Sequence, residues 1–229
     1  MRRALGCAAL LSLVCPSVAA AQFYVGRDAP HAGSLELSGG AVWSRGFEQG
    51  SVSAEETRNS TTDTGPFVLF TAKSRMESAA GGQARFGVYL APAVSVEGGV
   101  QYARPRISTR LDDDAESAEA VTAAETLTRF IADASVLFHL TGISFGNGRG
   151  VPFVRAGAGY LRELHEKNEV IETGNEYHVG GGLKLWFGNG RRKTGLRVDG
   201  GLLFRTGGAD TPDTKRTVPT AGISLMYLF

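Results

Sequence analysis

Thiols are almost missing from this 229-residue chain: its two cysteines, Cys7 and Cys15, both stand near the N-terminus. A disulfide framework, a zinc-thiolate centre and a cysteine nucleophile are therefore not expected anywhere downstream. Charge of one sign is missing too. With 24 Lys and Arg against 23 Asp and Glu, the formal net charge is +1, so no nucleic-acid partner is expected from bulk electrostatics. Proline is sparse at 8 residues, while glycine reaches 31 without a collagen-like period, and 42% hydrophobic residues are too many for a disordered chain. Long apolar runs are also scarce. The single uninterrupted one lies at the N-terminus, and a mean hydropathy of −0.07 leaves no second stretch of the ~20 residues that a membrane-spanning helix needs.

That N-terminal run carries export chemistry. Arg2 and Arg3 precede the apolar stretch Ala4 to Val14, and Ala19, Ala20 and Ala21 supply the small residues of a signal-peptidase site before Gln22. Residues 1–21 are expected to be a signal peptide cleaved after Ala21, leaving 22–229 as one domain; a retained N-terminal anchor is the alternative. Lipidation of Cys15 is disfavoured by the bulk of Val14 before it. Cleavage removes two bases and no acid from 24 and 23, so 22 bases remain against 23 acids.

What the rest of the chain has is alternation. Apolar residues recur at every second position over segments of about ten residues, separated by stretches rich in Gly, Asn, Asp and Thr. Eight strands are expected, at 34–46, 80–91, 93–107, 126–140, 152–165, 174–187, 194–206 and 216–229. Their connections alternate in length. Leu90 to Ala93, Thr141 to Val151 and Gly188-Asn189-Gly190 are tight, and Asn-Gly favours the positive φ of hairpins. Residues 47–79, 108–125, 166–173 and 207–215 are longer and more polar. Short turns on one side and long loops on the other are the pattern of a bacterial outer-membrane barrel. Segment 67–72 (Phe67-Val68-Leu69-Phe70-Thr71-Ala72) does not fit a polar loop; it could extend a hairpin above the membrane, plug the lumen, or begin an early second strand.

Each strand divides cleanly. In 194–206, Leu196, Val198, Leu202 and Phe204 share one face, and Arg197, Asp199 and Arg205 share the other. A soluble sandwich would turn its charges outward, so alternation alone does not fix orientation. Aromatic placement favours lipid outside. If odd strands run outward, Trp43, Tyr102, Phe130, Tyr160, Tyr177 and Phe204 collect at the loop end of the oily face, and Phe138, Phe187, Tyr227 and Phe229 at the turn end. Two aromatic belts around an aliphatic band suit a bilayer. The ten residues from Tyr177 to Phe187, tilted about 45°, rise roughly 23 Å, close to the apolar band of such barrels.

The opposite face carries the acids Glu36, Glu97, Asp133, Glu163, Glu176 and Asp199 and the bases Arg85, Arg129, Arg155, Lys184, Arg197 and Arg205. Eight strands leave a lumen that side chains fill, so these charges must pair or stay hydrated. A structural ion-pair network is expected, with Asp199 diagonal to Lys184, Glu97 diagonal to Arg85 and Glu163 opposite Arg129 on simple hairpin registers.

Across the segment after residue 21, these features resemble small eight-stranded OmpA/OmpX-type outer-membrane barrels. The most specific marker is the final strand, where Ile223, Leu225, Tyr227 and Phe229 alternate and look like the signal such proteins present to the barrel-assembly machinery. The resemblance implies a closed antiparallel up-and-down transmembrane barrel in a Gram-negative outer membrane, inserted with periplasmic chaperones and surrounded by lipid and lipopolysaccharide. It departs from that pattern in its long first loop and in stopping at the last strand, with no peptidoglycan-binding domain after it. A non-catalytic structural or surface-interaction role through the loops is expected; a narrow solute pore and an embedded lipid-modifying enzyme are the alternatives.

No catalytic, cofactor or metal site is expected. Gly142-Ile143-Ser144-Phe145-Gly146 matches a nucleophile elbow but lacks the following helix. Asp133, Ser135 and His139 share a face, yet Ser135 and His139 stand ~13 Å apart along a strand; only His178, from another strand, could complete a lumenal hydrolase. Asp112, Asp113, Asp114, Glu116, Glu119 and Glu125 read as a solvated loop, with divalent-cation binding the sharper possibility. Glu163, His165 and Glu166 have metal-capable chemistry but no defined scaffold. Asn59-Ser60-Thr61 matches a glycosylation acceptor and reads as loop chemistry in a bacterial exported chain.

Overall fold

A computed structural model describes residues 29–56, 67–112, 120–165, 171–187, 193–207 and 215–229. The signal segment, Asn59 to Thr61, Gly188 to Gly190, Asp113 to Glu119 and Glu166 fall outside the described residues.

The strands are β1 (Leu35–Ser44), β2 (Phe47–Glu56), β3 (Phe67–Met76), β4 (Ala79–Ala91), β5 (Val94–Ala103), β6 (Arg106–Asp112), β7 (Val121–Thr126), β8 (Thr128–His139), β9 (Gly150–Leu164), β10 (Ile171–Phe187), β11 (Lys193–Gly207) and β12 (Lys215–Leu228). Eight of them close a barrel in the order β1-β12-β11-β10-β9-β8-β5-β4, every pair antiparallel. These are the eight strands that alternation marks out. Closure comes where β1 pairs with β12, with Ala41 opposite Ile223. A closed barrel leaves no ladder edge unpaired, which is the condition for a sheet to cross hydrocarbon.

The remaining four strands correct the reading of the first two long connections as loops. β2 and β3 form one hairpin between β1 and β4, and β6 and β7 form another between β5 and β8; β3 pairs with β6, giving a second sheet in the order β2-β3-β6-β7. Segment 67–72 thus belongs to a hairpin beyond the barrel. The expected strand 93–107 likewise ends at Ala103. Arg104 and Pro105 intervene, and Arg106 and Ile107 already belong to β6. Pro105 cannot donate to a ladder and confines its neighbour to extended geometry, so the chain changes sheet there.

This second sheet has two unlike faces. Val52, Ala72, Leu111 and Val121 lie directly across from one another along one face, and Ser51, Lys73, Arg110 and Thr122 along the other. A bulge at Gln49 breaks the two-residue period of β2, and one at Leu69 breaks that of β3. On the polar face Asp112 takes hydrogen bonds from Arg110 Nε at 2.7 Å and Lys73 Nζ at 3.4 Å. Chiefly the Arg110 bond holds its carboxyl below the usual range.

The barrel is inverted relative to a soluble one. Its outward side chains, among them Leu37, Phe86, Val100, Val136, Val198 and Leu225, are exposed, and all twelve charged residues of the inward face are buried. The compact apolar cluster is small: Tyr89, Trp186, Met226 and Leu228 close the lumen at the turn end.

Candidate functional site

Three layers of charge fill the lumen. Nearest the turns, Lys184 Nζ donates to both Glu36 oxygens at 2.8 and 2.7 Å, and the Tyr89 hydroxyl donates to Glu36 at 2.9 Å. Beside it, Arg197 Nη1 reaches both Glu97 oxygens at 2.8 Å, and its Nε donates to Asp199 at 3.0 Å. Arg155 approaches the other Asp199 oxygen at 3.3 Å. In the middle layer Arg85 Nη1 donates to Asp133 at 2.9 Å. At the loop end a single carboxylate, Glu163, bridges Arg129 at 2.7 Å and Arg205 at 2.8 Å. Ionised partners at these distances make charge-assisted hydrogen bonds, the form in which buried charge is tolerable.

The diagonal pairings drawn from hairpin register need correction. Lys184 pairs with Glu36 and lies 3.6 Å from Glu97, not with Asp199, and Arg85 pairs with Asp133, not with Glu97. The reason is geometric. Long side chains in a narrow lumen reach across the axis, so Arg197 on β11 meets Glu97 on β5, which register between adjacent strands cannot show. The Arg129 to Glu163 pair is directly opposite in register and does form.

Glycines on the inward face make the room. A Cβ on Gly157 would stand 2.6 Å from His178 Nε2, and one on Gly159 would stand 3.0 Å from Glu176 Cγ. With both positions bare, His178 Nε2 lies 2.8 Å from Ser135 Oγ, and His178 Nδ1 lies 3.8 Å from Glu176 Oε1. The Glu176 carboxylate has no hydrogen-bond partner among the described residues. The order Ser, His, acid is that of a nucleophilic relay, and the sequence showed it only as a possibility through His178. Two observations separate it from a working relay: Ser135 is 2% exposed, and the acid lies beyond hydrogen-bond distance of the ring. His139 is taken up separately by Ser95 Oγ at 2.9 Å, a pairing the sequence did not suggest.

Other candidates disperse. Gly142 to Gly146 lies in the connection between β8 and β9, which opens with a 3₁₀ segment, Thr141–Ile143. Of the six acids in 112–125, Asp112 pairs with bases of the second sheet, while Glu125 lies 2.9 Å from His165 Nδ1 near the barrel rim. Glu163 and His165 do not converge, because Glu163 points into the lumen. Among the described residues no three His, Cys, Asp or Glu side chains come together as a metal site.

The aromatic residues form two tiers on the exterior. Trp43, Tyr102, Phe130, Tyr160, Tyr177 and Phe204 are exposed at the loop end, with Tyr102 and Phe130 rings 5.2 Å apart. Phe138, Phe187 and Phe229 are exposed at the turn end, where Tyr227 packs edge-on against Phe229 at 4.7 Å. The inward face of the second sheet's base caps the loop end. Met76, 1% exposed, accepts hydrogen bonds from Arg129 and Arg205, and the Arg205 and Arg216 guanidiniums lie 5.4 and 5.7 Å from the Phe47 ring centre.

Asp199→Ala should lower the unfolding midpoint in detergent by removing Arg155's one carboxylate, at about 3 kcal/mol; Arg197 keeps Glu97. Urea titration followed by gel mobility measures it, and an unchanged midpoint would show that Arg155 needs no counter-ion.

No protein-family model matches the sequence, and no curated protein matches it. Among solved structures the chain is similar to the outer membrane protein OprG from Pseudomonas aeruginosa, with 12% identity over 88% of this chain and 98% of that one and a TM-score of 0.49. It is also similar to Ail, the attachment invasion locus protein of Yersinia pestis, with 13% identity over 86% of this chain and 99% of that one and a TM-score of 0.38. By its eight-strand closure, nearest-neighbour order and inverted polarity, the chain has the architecture of the small OmpA/OmpX-type outer-membrane barrels.

Proposed function

We propose that this protein is a non-catalytic outer-membrane barrel of a Gram-negative bacterium, exported by residues 1–21, that holds a four-stranded sheet outside the cell as its interaction surface. The observation that carries this reading is the inversion of polarity. A cylinder with Val100, Val136, Val198 and Leu225 exposed and twelve charges sealed inside is unfavourable in water and favourable in a bilayer. The interaction role rests on the second sheet. Its outer strands β2 and β7 have no further strand beside them among the described residues, and a sheet edge is where another chain can add a strand. Assembly machinery acting on the Ile223 to Phe229 strand, and surrounding lipid and lipopolysaccharide, belong to the same reading.

The membrane fraction should contain a band whose gel mobility changes only on boiling, because a closed ladder resists detergent. A protein dissolved in plain buffer as a monodisperse species would end the proposal. The pore alternative separates by conductance. With Lys184, Arg197, Arg85 and Glu163 each bonded across or along the lumen, planar bilayers containing the protein should show no sustained unitary current. A steady ohmic step would make the solute-pore reading the correct one.

A further inference from the structure

Three of the four outward-running strands carry an aromatic residue at the loop end with arginine two positions later: Trp43 of β1 with Arg45 just past the strand, Tyr102 of β5 with Arg104 just past the strand, and Tyr160 with Arg162, both within β9. The fourth, β11, has Thr206 two positions beyond Phe204. A two-residue step keeps the side chain on the same face, and Arg45, Arg104 and Arg162 are all exposed. At a 45° tilt the step rises about 5 Å, which places each guanidinium just beyond the aromatic tier. Indole and phenol rings settle at the headgroup boundary, so the arginines stand among the phosphates.

Beside Arg45 the surface is also concave. Arg45 and Arg75 line one recess with Ser78, Thr217 and Pro219, directly above Trp43; Glu48 is the acid in it. The Gly46 amide there is already bonded to Ser78 Oγ at 3.0 Å, and the Arg45 amide to the Pro219 carbonyl at 3.0 Å, so the backbone is fixed and the two guanidiniums are left to the outside. None of Arg45, Arg75, Arg104 and Arg162 forms an ion pair among the described residues. In the lumen, by contrast, each arginine has a carboxylate within ion-pair distance. In barrel order β1, β5 and β9 are alternate strands, so successive arginines stand about 10 Å apart around the half of the rim that carries the second sheet.

We propose that Arg45 with Arg75, Arg104 and Arg162 are a row of binding sites for the phosphate groups of outer-leaflet lipids. Each planar guanidinium can take a phosphate through paired hydrogen bonds while the ring two residues below holds the acyl boundary. The proposal rests on the membrane reading above, and its test keeps the two apart.

The folded protein is reconstituted in phosphatidylcholine vesicles doped with lipid A, with lipid A stripped of its phosphates, or with neither, and the unfolding temperature and retained lipid are measured. Wild type should insert in all three, gain stability only with phosphorylated lipid A, and hold it through detergent extraction. The variant Arg45→Gln, Arg104→Gln, Arg162→Gln should insert equally in phosphatidylcholine alone and bind phosphorylated lipid A about a hundred-fold more weakly. Equal stability with and without the lipid phosphates would overturn the arginine row and leave the barrel standing. Millimolar inorganic phosphate reproducing the gain would overturn the assignment to lipid. Failure to insert in any vesicle would overturn the membrane reading itself.

Discussion

Arg197→Ala is expected to destabilise the folded barrel by about 3–5 kcal/mol, among the largest losses open to a single substitution in this chain. Arg197 is 0% exposed, holds both Glu97 oxygens at 2.8 Å and Asp199 at 3.0 Å, and lies 4.7 Å over the Phe153 ring. Truncation leaves Glu97 facing only Lys184 at 3.6 Å, with Lys184 already committed to Glu36. The cost is that of a buried carboxylate losing its counter-ion, which exceeds what the pair itself contributes. Arg197→Lys should rescue little, because one ammonium cannot reach the two carboxylates that the guanidinium fork spans. A double variant, Arg197→Met with Glu97→Gln, should recover part of the loss by removing both charges. Urea unfolding in micelles decides it, and a single-variant loss under about 1 kcal/mol would mean that water, not Arg197, solvates Glu97.

Val198→Arg, one residue further on, should cost about 2–4 kcal/mol for the opposite reason. Val198 is 46% exposed and sits at mid-height on the exterior of β11. On a wetted surface such a change is worth within about 0.5 kcal/mol, whereas at the bilayer midplane the guanidinium loses its water. Val52→Arg gives the control. Val52 is more exposed, at 73%, but lies on the sheet beyond the barrel, so its substitution should be close to neutral. Equal effects at 198 and 52 in vesicles would mean that both surfaces meet the same solvent.

What the sequence made legible was governed by where each strand finds its partners. All eight barrel strands could be marked because each has an oily outward face and all but β12 carry buried charge on the other, and β8 alternates from Thr128 to His139 without a break. The second sheet was hidden for the converse reason. β2 reads Phe-Glu-Gln-Gly-Ser-Val-Ser-Ala-Glu-Glu, its period is broken by a bulge at Gln49 and that of β3 by one at Leu69, and the pairing of β3 with β6 joins segments that no turn connects. The candidate site divides the same way. Which charges face inward followed from parity along each strand, but Lys184 to Glu36 and Arg85 to Asp133 are contacts through the lumen. Ser135 to His178 is hidden too, since β8 and β10 are separated by β9.

The junction between the two sheets has a mechanical consequence. Two residues, Arg45 and Gly46, carry β1 into β2; Glu77 and Ser78 carry β3 into β4; Arg104 and Pro105 carry β5 into β6; and Leu127 alone joins β7 to β8. Four such stiff joints leave the protruding sheet no swivel, so a spin label on it should tumble with the whole particle, and a partner pulling there would load the cylinder wall directly.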